Sequence, residues 1–357
     1  MPVSINGTTG ITTPGITNSG NETITGNTAI TGTLSVGSNN ISPVQSFRNK
    51  IINGSFQYWQ RGTSTSTAGY LADRWQTNTN GSTFTASRQS FTLGQTAVPD
   101  EPTYFHRTVV TSVAGAGNYC LTRQYVESVR TLAGQTATLS FWAKADSAKN
   151  IAIDLAQIFG TGGSPSTGVS GIGVTTCALT TSFQKFTIPV TFPSISGKTL
   201  GSNNDDYVEV NFWFDAGSSS NARTNSLGQQ SGTFDIAQVQ LEAGSVATPF
   251  EVRPFQTELA LCQRYYQLFN VGTSYQNIAG YTYQYFTFSL PVLMRGTATV
   301  AVFSQFQYYS SGTGANFTPT FGAVNTSLGT MAFIVYIQNF ANLNGLAAGT
   351  ASLSSEL

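Results

Sequence analysis

The chain reads as an all-β protein built around a β-sandwich, and three observations carry that expectation. Of its 357 residues only 9% are Asp, Glu, Lys or Arg, where ordinary soluble proteins carry about a quarter. Helix surfaces are normally coated with Lys and Glu, so this scarcity argues against a helical protein. Aromatic residues make up 12% of the chain, among much Thr, Ser, Gly and Asn, a mixture that suits strands joined by tight turns. Several runs also alternate apolar and polar residues with period two, as half-buried strands do. The 40% hydrophobic fraction is ample for a core, and the length predicts two or three units.

Residues 1–46 stand apart. Gly10, Gly15, Gly20, Gly26, Gly32 and Gly37 recur every five or six residues, with Ile11, Ile16, Ile24, Ile30 and Leu34 between them. So short a period cannot close a core within one chain, but identical chains winding together bury the Ile column along a shared axis. A repetitive, intertwined stalk is the expectation, with a flexible Thr/Gly/Asn linker as the alternative. Residues 47–253 read as one β-sandwich. Phe186, Ile188, Val190 and Phe192 alternate with polar residues, as do Leu139, Phe141 and Ala143, then Val208, Val210, Phe212 and Phe214, and Ile151, Ile153 and Leu155. Gly160–Gly173 and Ser218–Gly232 read as turn-rich connections. The apolar phase shifts between Phe234 and Leu241, which predicts a β-bulge. Within 254–269 lies the one connector helix, predicted over Thr257–Phe269 with Thr257 as its cap and Leu259, Cys262, Tyr265 or Tyr266, and Phe269 at helical spacing. Residues 270–357 return to strands at Tyr281–Val292, Thr297–Phe306 and Met331–Tyr336, a small β-sandwich of a size that leans on oligomerisation.

Sixteen basic and sixteen acidic residues cancel, and no basic cluster offers a footprint for nucleic acid. Zero net charge gives weak colloidal protection, which suits a chain held in an assembly. Cys120, Cys177 and Cys262 are odd in number and widely spaced, and His106 is the lone histidine. This predicts buried free thiols, no metal site and no cofactor. No signal peptide and no apolar run of membrane-spanning length is present, so synthesis in a cytoplasm without membrane insertion is expected.

Two tryptophans break the rule of their strands. Alternation places Trp142 and Trp213 on the polar face, Trp213 beside Glu209, Asn211 and Asp215. An indole flanked by carboxylate and amide groups suits a sugar, whose C–H face stacks on the ring while its hydroxyls meet the polar groups. Burial under a loop or at a subunit boundary explains such residues equally. Trp59-Gln60-Arg61 with Asp73-Arg74-Trp75 is either a clamp for an anionic saccharide or a framework in which Asp73 pairs with Arg61 or Arg74. Tyr281, Tyr283 and Tyr285 share a strand face and suit recognition or a subunit interface. Catalysis is not expected. Glu209 and Asp215 lie roughly 20 Å apart along a strand, too far for a glycosidase pair, and one histidine supports no nucleophile–base set. Asp205-Asp206 is the one place where calcium comes into question.

The ordered set INGSFQYWQRG (Ile52–Gly62), Ala72-Asp73-Arg74-Trp75, DIAQVQLEAGSVATPFE (Asp235–Glu251) and TELALCQRYY (Thr257–Tyr266) resembles bacteriophage tail fibres with a carbohydrate-binding jelly roll. The resemblance covers roughly residues 47–357. It implies a homotrimeric virion protein, joined to other tail proteins through its N-terminal segment, that attaches to host surface polysaccharide without cleaving it. Tyr308 and Tyr309, before a Ser/Gly turn, then become tip-loop candidates for host contact, alongside Trp142, Trp213, Glu209, Asn211 and Asp215. A purely structural virion protein, a fibre adaptor or head decoration protein without ligand, is the alternative.

Overall fold

A computed structural model describes residues 47–275, 283–296, 299–310, 313–316, 332–338 and 345–357, together with residues 35, 36, 39 and 40. The chain divides into two units, Met1–Ser46 and Phe47–Leu357. In the first, β1 (Ser35–Val36) pairs antiparallel with β2 (Asn39–Asn40). The repeat carrying Ile11, Ile16, Ile24, Ile30 and Leu34 lies outside the described residues.

The larger unit begins with β3 (Ser64–Thr65), β4 (Gly69–Tyr70), β5 (Trp75–Asn80), β6 (Thr83–Ser90), β7 (Tyr104–Thr111) and β8 (Tyr119–Glu127). It continues with β9 (Thr136–Ala145), β10 (Lys149–Ile158), β11 (Val169–Leu179), β12 (Gln184–Thr191), β13 (Tyr207–Ala216) and β14 (Gly232–Ala243). They form two six-stranded antiparallel sheets, β11-β10-β13-β8-β5-β4 and β12-β9-β14-β7-β6-β3. From β7 onward the chain passes repeatedly from one sheet to the other, so most strand neighbours are far apart in sequence.

Period-two alternation builds the sandwich. Leu139, Phe141, Ile188, Val190, Ile151, Ile153, Val208 and Phe212 all enter one buried core. Rings from the two sheets meet in it: Phe141 stands edge-on to Phe212 with centroids 5.0 Å apart, and Phe214 stacks on Phe234 at 5.0 Å. Each such side chain contributes about 1.5–3 kcal/mol by leaving water. The phase shift in Phe234–Leu241 is a bulge. The β14–β9 register slips between Ala237 and Gln240, and Gln238 takes φ 45°. Gly54 explains part of the entry motif, because a Cβ there would stand 2.1 Å from the Val239 carbonyl oxygen. Beside it, the Asn49 carboxamide bridges the backbone of Ile51, Val239 and Leu241, and the Trp75 indole donates to Asn53 O at 3.0 Å.

Three expectations need correction. Val169–Gly173 belongs to β11 rather than a turn, and Ser218–Gly232 contains a 3-10 turn (Ser218–Ser220) and the short α1 (Asn221–Thr224). The connector helix α2 is Phe255–Gln263, with Pro254 at its N-cap, so Thr257 is not the cap and Tyr265 and Tyr266 lie beyond the helix. The chain there becomes β15 (Tyr266–Tyr275), followed by β16 (Tyr283–Ser289), β17 (Thr299–Ser310), β18 (Thr313–Asn316), β19 (Ala332–Gln338) and β20 (Gly345–Ser354). These make a sheet β15-β20-β17-β18 and a pair β16-β19. Aromatic, β-prone residues lie at helix-like spacing in Tyr265–Phe269, but pairing of β15 with β20 decides for strand. Tyr281 lies outside the described residues.

All three cysteines are free and buried. His106 is buried too, stacked between Phe56 and Trp59 at 5.5 and 5.8 Å. Burial pushes its pKa down to about 3. The unfolded chain therefore takes up a proton below about pH 6.5 that the folded protein refuses, and stability falls as pH drops through that range. His106→Gln removes this linkage. The gap in unfolding free energy between wild type and variant should shrink from pH 7 to pH 4, by up to about 1.4 kcal/mol per pH unit. A constant gap across that range would count against a neutral buried imidazole.

Candidate functional site

The outward faces of the two sheets differ. On the first sheet, alternation does turn Trp213, Asn211 and Glu209 away from the core, yet Trp213 is only 3% exposed. It packs with Leu121, Ala152 and Ala216 beneath Leu227, meets Tyr119 edge-on, and donates its indole N–H to Asp154 at 2.7 Å. The expected open platform is thus covered by the connection after β13, as the loop-burial alternative holds. Glu209 pairs with Arg123 at 2.8 Å and Arg223 at 3.5 Å, and Asn211 is fully buried. Asp215 does not share this face. The register slips after Trp213 so that Asp215 opposes Cys120, and it accepts from Ser82, Ser112 and the Gln230 backbone.

The second sheet keeps its tryptophan accessible. Trp142 on β9 lies across from Lys185 on β12 and Ala237 on β14. It is half-buried in the wall of a hollow of about 360 Å³, with Ser140, Lys185, Gln238, Asp100 and Phe250. That hollow adjoins a larger one of about 450 Å³, which shares Asp100, Gln238 and Phe250 and reaches Tyr58, Arg253 and Glu258. The bulge in β14 turns Gln238 into this groove wall. Its Nε2 donates to Pro99 O at 2.8 Å, while its buried Oε1 has no partner. Opposite, Asp100 and Glu101 both adopt left-handed backbone, φ 65° and 46°. Non-glycine residues held this way cost roughly 1–3 kcal/mol each and gather at functional sites. Asp100 is also the acidic residue without an ion pair or hydrogen bond among the described residues, whereas Arg253 engages both Glu251 and Glu258. Sequence reasoning found Trp142 and the bulge. It did not single out Asp100, Glu101 or Gln238; the phase shift at 234–241 was a signal for Gln238 alone.

The Trp59/Arg61/Asp73/Arg74/Trp75 cluster is built inward. Trp59 and Trp75 are core residues. Arg61 lies 3.7 Å from Asp73 and 2.9 Å from Glu356, and Arg74 also pairs with Glu356. Arg74 stacks on Tyr265 and Arg61 on Tyr266, 3.5 and 3.6 Å from the ring centroids. Burial pushes the Asp73 carboxyl up to about 6, against the hydrogen bonds of Gln60 and the charge of Arg61. Burial also works against the Arg74 charge, but Glu356 outweighs it and its pKa is raised. The framework reading holds, with Glu356 as the partner that was not foreseen.

Tyr308 and Tyr309 are not loop residues. They sit in β17, paired in register with β18 and β20. Asp205 accepts from the Thr161 backbone and hydroxyl, and Asp206 from the Val129 backbone. Among the described residues, no group of three or more His, Cys, Asp or Glu side chains is placed to hold a metal, and no helix is long and apolar enough to cross a membrane.

No family model matches the chain, and no curated protein does. Among solved structures it is similar to a CBM4 structure at 17% identity, covering 54% of this chain and 98% of that one with TM-score 0.30. A family 11 carbohydrate-binding module of a cellulosomal cellulase from Clostridium thermocellum is 14% identical, covering 52% and 98%, TM-score 0.31. The enzymatically active domain of tailspike protein 4 from bacteriophage CBA120 is 13% identical, covering 55% of this chain and 22% of that one, TM-score 0.29.

The double pairing of Glu356 generates a prediction. Glu356→Gln leaves Arg74 buried opposite a neutral amide, which should cost about 3–5 kcal/mol. Hydrogen exchange should report earlier opening of Tyr266–Tyr275 than of the sandwich strands. Unchanged protection of β15 would rule out this contact as its anchor.

Proposed function

We propose that the chain is an attachment protein of a phage particle and holds host surface glycan, without cleaving it, in the groove beside Trp142. The observation that carries the reading is the groove itself. It offers one accessible indole, a cationic side chain at Lys185, an unpaired buried amide oxygen at Gln238 and a free carboxylate at Asp100. Two adjoining hollows with an aromatic wall and scattered hydrogen-bonding groups fit a polysaccharide strand better than a compact metabolite. Binding without hydrolysis is part of this reading: Glu251 and Glu258 are tied to Arg253 and to backbone N–H groups of Phe47, Asn49 and Asn53, and Glu101 accepts from the Gly94 backbone, which leaves Asp100 without a second free carboxylate for glycosidase chemistry. A modest single site suffices for attachment if several copies engage one surface, because linked sites raise avidity by orders of magnitude.

Trp142→Ala should weaken binding to purified host envelope glycan at least tenfold, about 1.4 kcal/mol. Its melting temperature should move by only a few degrees, and the same incubation should release no reducing ends above a buffer control. Full retention of binding would reject the groove, and reducing-end release would reject a purely binding role. If the isolated protein binds no glycan and fails to compete with phage adsorption, the structural virion role takes its place.

The reading extends to a homotrimer joined through residues 1–46, on the strength of the Ile11-to-Leu34 repeat. Light scattering on the full chain should return three times the monomer mass, and Ile24→Asn with Ile30→Asn should weaken that assembly. A monomeric mass for the intact protein would refute it.

A further inference from the structure

The outward face of the first sheet holds buried polar groups that the Trp142 groove does not use. Asn211 is completely buried, and neither its amide oxygen nor its amide nitrogen has a partner. Native proteins rarely leave an amide in that state. In the sheet register Asn211 stands between Asp154 on β10 and Arg123 on β8. Asp154, also fully buried, accepts the Trp213 indole N–H at 2.7 Å, Arg223 Nε at 2.9 Å and the Gly171 backbone at 3.2 Å. Glu209 lies 3.5 Å from the same Arg223. One guanidinium therefore rests over the Trp213 ring, 5.1 Å from its centroid, and bridges two buried carboxylates.

That guanidinium comes from a separate piece of chain. Arg223 sits on the four-residue α1, in the connection between β13 and β14. Its side chain is 31% exposed, so it closes the site from the solvent side. Just after α1, Asn225 and Ser226 hold consecutive left-handed φ values of 50° and 56°, a conformation that L residues adopt at a cost. Burial works against the Arg223 charge, and Asp154 and Glu209 more than compensate.

We infer that the Gly217–Gly228 connection is a lid, and that Arg223 holds the place of a cationic ligand group in a second subsite formed by Trp213, Asp154, Glu209 and Asn211. The ligand class follows from what Arg223 satisfies. A saccharide bearing a protonated amine can set its ammonium between Asp154 and Glu209, lay its C–H face on the Trp213 indole and offer hydroxyls to the idle Asn211 amide. The exchange replaces one positive charge by another. Arg123 stays with Glu209 at 2.8 Å, so the opened subsite keeps one uncompensated negative charge. An N-acetylated or acidic sugar would leave that charge buried and unpaired, which is strongly unfavourable. Such a site is a minor open state that ligand makes dominant. It shares with the groove on the second sheet only the saccharide class of its ligand.

The test uses the full chain carrying Trp142→Ala, which removes the groove's aromatic ring and leaves Trp213 as the tryptophan outside the main core. In that background Arg223→Ala should increase acrylamide quenching of tryptophan emission. It should also bind glucosamine oligomers at least tenfold more tightly than the parent, while N-acetylglucosamine oligomers of equal length do not compete. Unchanged quenching, or no gain in affinity for the amine-bearing oligomer, overturns the proposal. Should Arg223→Ala fail to fold, hydrogen exchange on the Trp142→Ala protein decides. Saturating glucosamine oligomer must raise exchange across residues 217–228, and unaltered exchange there overturns the lid. Because Trp142 is absent throughout, these outcomes are separable from failure of the groove.

Discussion

Arg74 is a full charge buried from solvent, and its pairing with Glu356 is the contact on which the C-terminal part of the molecule rests. An unpaired buried guanidinium would be prohibitive. Here Glu356, the Tyr125 carbonyl and the face of Tyr265 surround it. Those partners arrive from separate stretches of chain: β8, the turn after α2 and the residues following β20. Satisfying one charge thus fixes where the C-terminal sheet leaves the sandwich. Arg264 and the Tyr265 hydroxyl, both bound to Glu127, reinforce the same corner.

The same logic explains a composition so poor in charge. Its few acidic side chains are mostly turned inward or tied down: Asp154 to Arg223, Asp235 to Arg107 and Lys144, Glu242 to Arg48, Glu258 to Arg253. Thr, Ser, Asn and Gly are left to make the surface, and charge serves as cross-bracing between loops. A carboxylate without a partner, such as Asp100, is in this setting an exception with information in it.

Strand content was legible because it depends on neighbours in sequence. The alternations at Leu139–Lys144, Ile151–Leu155, Phe186–Phe192 and Val208–Phe214 give β9, β10, β12 and β13 directly, and the phase shift at Phe234–Leu241 gives the bulge. The fate of Trp213 was only half legible. Its outward direction follows from period two, but its cover is the Ser/Asn-rich connection carrying Arg223, where Ala222 and Leu227 are too few apolar residues to give a periodic signal. Trp142 projects from β9 in the same alternating sense and stays half-buried beside Pro249 and Phe250. The helix end failed for a related reason, since Tyr266–Phe269 takes its strand form from pairing with β20 far away. Glu356 could not be matched to Arg61 and Arg74 from spacing, because nearly three hundred residues of folding separate them.

The three thiols have a consequence of their own. Cys120, Cys177 and Cys262 are each packed away from solvent, and burial raises every one of their pKa values. Thiolate is the species that oxidises or exchanges, and each of these sulfurs is held protonated and out of reach of its fellows' chemistry. A folded copy moving from a reducing medium to an oxidising one would keep its covalent structure, with no crosslink to form and none to lose.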